Sequence, residues 1–203
     1  VLAARLVRTS ADADAQTRVL DPAGTVLITG GMGELGQALA RHLVQEHGVR
    51  RLVLTSRRGA DAPGTEELVG ELTAAGAERV EVVACDVADR AQVRTLLTGV
   101  EIAHPWTGVF HLAGVLVDGL LQGQDTGRLA RVLGPKTEGA LHLHDLTREL
   151  GLELAAFVLF SSASGVLGTV GQSTYAAGNT ALDTLGALRR SEGLVATSLS
   201  WGL

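Results

Sequence analysis

The sequence predicts an α/β fold built on a doubly wound parallel sheet with helices on both faces. Three observations predict it. From residue 25 onward, apolar runs of strand length alternate with amphipathic stretches of helical length. The strand-length runs are largely apolar, as expected where a parallel sheet is covered on both sides. The first of them leads straight into a glycine-rich turn and then a helix. Strict alternation of this kind implies parallel strands joined by right-handed crossovers. On such a sheet, ligands gather beyond the carboxyl ends of the strands, which makes the strand-end residues informative.

The elements follow in order. Residues 1–24 differ from the rest: "VLAARLVRTS" ends like a strand and "ADADAQTRVLDPAG" is a polar connector. They read as the tail of a preceding structural subdomain and its linker, with one catalytic unit over 25–203. The predicted strands are "TVLITG" (25–30), "RLVLTS" (51–56), "VEVVACD" (80–86), "GVFHLAG" (108–114), "FVLFSS" (157–162) and "ATSLSW" (196–201). Between them lie helical patterns over 35–48, 64–76, 88–99, 128–151 and 174–193, each closing on Gly, a common helix terminator. Pro135, inside the long fourth pattern, has no N–H to donate and predicts a bend there. The chain stops at "SWGL", just after the sixth strand, so a seventh strand and a substrate lid are expected to be lacking from it.

Composition narrows the function classes. Hydrophobic residues make up 46% of 203, a rich share, but the longest apolar stretch, "AAFVLF", is far short of the ~20 residues of a membrane span. The net charge of −5, the 3% of aromatics and the lack of a dense Lys/Arg stripe argue against nucleic acid as the partner. No cleavable leader opens the chain, and the single cysteine, Cys85, suits a reducing compartment, so a cytoplasmic location is expected. Its neighbours "VEVVAC" place Cys85 in the core at a strand end. Among the six histidines, His142 and His144 stand two apart on a helix and point to different faces. No metal site is expected.

The turn after the first strand carries Gly31-x-Gly33-x-x-Gly36. Glycines there let the backbone turn tightly and approach a pyrophosphate, which the free N–H groups of the helix N-terminus then bind. This Rossmann-like loop nominates Thr29, Gly30, Gly31, Met32, Gly33, Leu35 and Gly36 as cofactor residues. The second strand ends in Ser56-Arg57-Arg58, where NAD-binding folds place an acid for the ribose 2′-hydroxyl. Guanidinium groups and a hydroxyl at that place bind a 2′-phosphate that a carboxylate would repel, so NADPH is expected over NADH. At the end of the third strand, Asp86 can accept from an adenine amino group with Val87 on the ring, or cap the following helix, or both. Ala113 and Gly114 end the fourth strand where the cofactor passes close by.

The stretch "SSASGVLGTVGQSTYAAGN" (161–179) sets Ser162 thirteen residues before Tyr175. Carbonyl-reducing enzymes with that spacing carry a lysine four residues after the tyrosine; here that residue is Asn179. The chain has one lysine, Lys136 in "VLGPKTEG", and one tyrosine. Reducing a ketone by hydride transfer creates an alkoxide that must be protonated. A free tyrosine has a pKa of ~10, and a nearby ammonium stabilises the phenolate so that protons cycle near neutrality. A bend at Pro135 can turn Lys136 toward the strand ends. Ser162 can hydrogen-bond the carbonyl oxygen as charge develops, and Asn179 can hold the lysine or a relay water.

At these residues the chain resembles the short-chain dehydrogenase/reductase superfamily and, more narrowly, the ketoreductase domain of modular polyketide synthases. "TGGMGELG", "LVLTSRRG", "CDVADR", "HLAGV", "VLGPKTEGALHLH", "FVLFSS", "YAAGN" and "SLSWG" match in order from about Thr25 to Leu203. In that family the lysine and asparagine positions are exchanged relative to the wider superfamily, as here. Glu34 departs from the small residue usual in the superfamily's glycine loop. The resemblance implies Tyr175 as proton donor, Ser162 as carbonyl-orienting group, Lys136 as tuner of the tyrosine and Asn179 as support. It implies a β-ketoacyl thioester on the phosphopantetheine arm of an acyl carrier protein, reduced with NADPH to the β-hydroxyl. Further implied partners are an upstream cofactor-free structural subdomain and neighbouring synthase domains. B-type members, which give the D-hydroxy product, carry Leu-Asp-Asp after the fourth strand; here Leu116-Val117-Asp118 keeps only the second acid. A-type members carry a tryptophan eight residues before the tyrosine, where this chain has Leu167. The balance favours B-type.

Two rival readings remain. A reductase-like domain can serve as a non-catalytic scaffold of a synthase, but a scaffold has no need of all four side chains. A stand-alone carbonyl reductase is disfavoured by the linker-like first residues.

Overall fold

A computed structural model describes residues 19–99 and 103–202. Most of the expected N-terminal tail, residues 1–18, lies outside the described residues. The chain runs β1 (Thr25–Thr29), α1 (Glu34–His47), β2 (Arg51–Ser56), α2 (Thr65–Ala74), β3 (Arg79–Ala84), α3 (Arg90–Thr98) and β4 (Trp106–His111). It continues through α4 (Thr126–Leu133), a π-turn (Gly134–Glu138), α5 (Gly139–Glu149), β5 (Ala156–Ser162), a single helical turn α6 (Ser164–Leu167), α7 (Ser173–Ser191) and β6 (Thr197–Trp201). All six expected strands form.

The strands make one sheet in the order β3-β2-β1-β4-β5-β6, and every pairing is parallel. The order reverses direction between β1 and β4, so a crevice opens beyond their carboxyl ends. The register aligns that rim: Thr29 stands beside both Thr55 and His111. Because side chains alternate across a strand, β1 sends Leu27 to one face and Val26 and Ile28 to the other. Leu27, Val109, Phe157 and Leu159 pack with α3, α5 and α7 through Val93, Leu97, Leu143, Leu146 and Leu182. On the opposite face Ile28, Leu54 and Phe110 pack with α1 and α2 through Ala40, Leu43, Leu68 and Leu72. Phe157 is wholly buried, so its truncation to alanine would cost about 3–5 kcal/mol.

Local chemistry sets the helix ends. α1 closes on Gly48 in the left-handed conformation, φ 64°, which glycine adopts without Cβ strain. The Asp89 carboxylate caps α3 by accepting from the backbone N–H groups of Ala91 and Gln92. Asp125 caps α4 through Arg128 N–H. Asp86 therefore does not cap α3; its carboxylate accepts instead from Ala88 N–H at 3.0 Å. Asp89 holds the capping place because it directly precedes the first helical residue.

The long helical pattern over 128–151 is two helices joined by the π-turn. Pro135 cannot donate, and its ring opposes the carbonyl four residues back. Widening to a five-residue bond, Gly139 N–H to Gly134 carbonyl, carries the helix past it. The extra residue swings Lys136 inward, where it is 5% exposed.

Candidate active site

Beyond the carboxyl ends of β1, β2 and β4 lies a cavity of about 700 Å³, lined by Gly30, Ser56, Arg57, Asp86, Ala113, Gly114 and residues of α4 and the π-turn. That volume is in the usual range for a small-molecule site. The glycine loop is built for close approach. Gly30 has φ 67°, and a Cβ there would sit 2.9 Å from Ala113 nitrogen. A Cβ on Gly36 would sit 2.6 Å from the Gly30 carbonyl oxygen. Gly33 precedes α1 without a side-chain cap, so the first-turn N–H groups stay available to an anion. Thr29 is buried, Met32 half-buried and Leu35 exposed.

Two buried hydroxyl oxygens, Thr55 Oγ1 and Ser56 Oγ, have no hydrogen-bond partner and line this cavity. Arg57 and Arg58 are exposed beside them. Orphaned hydroxyls, free guanidinium groups and a Cβ-free cradle fit a phosphorylated dinucleotide. Val87 borders the same cavity but is buried and packs on Gly139, so little of its side chain faces a ligand. Cys85 is buried too; desolvation, with Asp86 and Asp89 nearby, pushes its thiol up to about 11, which leaves it inert.

At the neighbouring rim, the π-turn, β5 and α7 converge. The Lys136 ammonium donates to the Phe160 carbonyl at 3.0 Å and stands 5.1 Å from the centroid of the Tyr175 ring. Burial lowers the lysine from 10.5 to about 8, with the charge of Asp183 opposing the fall. It is still a cation at neutral pH. Gly178 makes room for it: a Cβ there would lie 3.2 Å from Lys136 Cδ. Ser162 ends β5 and its hydroxyl oxygen accepts from Ser164 N–H at 3.2 Å, leaving the hydroxyl proton for another acceptor. Tyr175 lies half-buried on the first turns of α7.

Asn179 is fully buried. Its amide nitrogen donates to the Tyr175 carbonyl at 3.0 Å and the Ser164 hydroxyl at 3.2 Å. Its amide oxygen has no partner. The lysine's hydrogen bond goes to Phe160 rather than to Asn179. Phe160 and Ser164 belong to the site and were not singled out in the sequence: one acts through its backbone, the other looks like any small loop residue.

Asp118 sits on the irregular stretch after β4. Its carboxylate accepts from Gln172 at 3.1 Å, and Gly119 N–H donates to the Gly171 carbonyl at 2.8 Å. These bonds tie that stretch to the approach of α7. Leu116, Leu120, Leu121, Leu167 and Val170, each more than half exposed, give the two loops an apolar character. A separate cavity of about 430 Å³ lies between α3 and the sheet, toward the amino ends of the strands, the wrong rim for this chemistry. Among the described residues no group of His, Cys, Asp or Glu could hold a metal, and no helix is long and apolar enough to cross a membrane.

Known proteins share this fold. The family described as "KR domain" matches residues 24–203. Polyketide synthase GfsB of Streptomyces halstedii is 56% identical over 184 residues, which are 91% of this chain and 3% of that protein. The chain thus spans a small part of the curated relatives it matches. Among solved structures, one described as the first ketoreductase of the tylosin polyketide synthase is 49% identical, with a TM-score of 0.83, over 96% of this chain and 41% of that one. Another, of A-type ketoreductases from a modular polyketide synthase, is 46% identical with a TM-score of 0.85, over 95% and 40%.

Proposed function

The chain belongs to the KR domain family, the ketoreductase domains of modular polyketide synthases, and on that premise we propose that it reduces a β-ketoacyl thioester to the β-hydroxyacyl thioester with NADPH. The substrate rides on the phosphopantetheine arm of an acyl carrier protein. The observation that carries this reading is the buried Lys136 ammonium, 5.1 Å from the centre of the Tyr175 ring at the rim of the dinucleotide-sized crevice.

Gly30, Gly31, Gly33 and Gly36 would hold the pyrophosphate against α1, Ser56, Arg57 and Arg58 would hold the 2′-phosphate, and Asp86 would meet the adenine. NADPH, when bound, supplies the hydride. Ser162 donates its free hydroxyl proton to the ketone oxygen and orients it. The Tyr175 hydroxyl gives its proton to that oxygen as negative charge builds. The buried lysine cation stands beside the ring that becomes the phenolate, and a buried charge counts for more than one in bulk water. Asn179 fixes the start of α7 through the Tyr175 carbonyl and leaves its amide oxygen for a relay water. The convergence of four side chains supports catalysis over a scaffold role.

The apolar loops suit an acyl chain. Asp118, held by Gln172, and Leu167 in place of a tryptophan favour the B-type, D-hydroxy product. Residues 1–24 join the domain to an upstream structural subdomain, with other synthase domains as neighbours in the cytoplasm. The test is chiral analysis of the product formed from a β-ketoacyl thioester and NADPH. A D-hydroxy product is expected, and Tyr175→Phe should lower turnover by about 10²-fold or more with NADPH affinity nearly unchanged. An L-hydroxy product would overturn the stereochemical assignment, and undiminished turnover in Tyr175→Phe would overturn the role of the phenol.

A further inference from the structure

His111, the last residue of β4, is 1% exposed and has both ring nitrogens engaged. Nε2 lies 2.8 Å from the Lys136 carbonyl oxygen, and Nδ1 lies 2.7 Å from Thr29 Oγ1. A carbonyl can only accept, so Nε2 carries the proton, and in the neutral ring Nδ1 accepts from the threonine hydroxyl. The same threonine oxygen accepts Ala113 N–H at 3.3 Å. A directed chain of hydrogen bonds thus runs from the end of β4, through the end of β1, into the backbone of the one residue that supplies the site's cation. Burial, aided by the nearby Lys136 charge, lowers the ring from 6.5 to about 4, against the pull of its own hydrogen bonds.

The contact is close because nothing stands between. A Cβ on Gly139 would lie 2.8 Å from Val87 and 3.2 Å from the ring carbon Cε1 of His111. The ring also supplies, from outside the helix, a donor to the stretch where Pro135 has disturbed the helical ladder. Resting on the ketoreductase reading above, we propose that His111 is a positioning residue: its ring clamps the π-turn to the ends of β1 and β4 and so fixes where the Lys136 ammonium stands relative to Tyr175.

The sequence offers a direct readout, since Lys136 is its one lysine. Lysine labelled with ¹³C at the ε-carbon gives a single signal from the chain, and its titration needs no turnover. In His111→Leu the midpoint should rise by roughly one unit or more, as the amine loses its buried seat, and kcat should fall about tenfold or more. KM for NADPH should stay within about twofold while the pH limb of kcat follows the lysine midpoint. His111→Gln keeps a donor toward the carbonyl and should restore most of both. A folded His111→Leu whose lysine titrates as in the wild type overturns the proposal. If that variant does not fold, Thr29→Val removes the donor to Nδ1 at nearly constant volume and should move the midpoint in the same direction; a wild-type titration there overturns it equally. A wild-type chain that fails to reduce the thioester would refute the ketoreductase reading, while the lysine titration would still decide the clamp.

Discussion

Lys136 is at once buried and charged, a costly state that holds here because the amine has one strong acceptor, the Phe160 carbonyl, and an aromatic face beside it. Arg57 and Arg58 are the reverse case: exposed cations placed beside two hydroxyls that lack partners. Arg57→Asp should therefore weaken NADPH by roughly 10- to 100-fold, the worth of a charge-assisted contact, and NADH far less. Fluorescence titration with both nucleotides checks this, and equal losses would show that the pocket reads something other than the 2′-phosphate.

At the scale of elements, strands were legible because each is largely apolar, and the central strands β1 and β4 are buried along their whole length. The glycine loop was legible because its spacing has a steric reason, now measurable. Gly36→Ala would set a Cβ 2.6 Å from a backbone oxygen, so the variant should lose about 1–3 kcal/mol of stability and most of its NADPH affinity. Denaturant midpoints and nucleotide titration would test it, and wild-type values for both would show that the loop yields. The winding at Pro135 was legible only as a bend. Proline announces that a bond is missing, but how the helix absorbs it depends on partners such as His111, far away in sequence. Asn179 was expected to hold the lysine or a relay water; its amide nitrogen bonds the Tyr175 carbonyl and Ser164 instead of the lysine, as α7 lies against the turn α6, and its amide oxygen has no partner. The cap of α3 went to Asp89 rather than Asp86 because the helix begins at Arg90, directly after Asp89.

For the whole molecule, buried histidine makes acid the weak side. The His111 ring titrates near 4 in the fold and near 6.5 when unfolded. Above 6.5 neither state takes up a proton. Between 6.5 and 4 the unfolded chain binds one that the native ring refuses, so stability falls with acid by at most about 1.4 kcal/mol per pH unit from this group. His144, lowered chiefly by burial, adds in the same direction. At the other end, Lys136 sheds its proton near 8 in the fold, so alkali relieves the cost of burying it. Urea midpoints should thus drop between pH 7 and 4.5, and a flat profile would contradict a buried neutral His111. One residue of the sheet joins β6 to this centre. The Phe160 ring, on the residue whose carbonyl seats the lysine, lies stacked on Trp201 of β6, 5.9 Å between centroids. A single residue of β5 thus meets the amine through its backbone and the indole through its ring, so the packing of the sixth strand and the seat of the cation share one support.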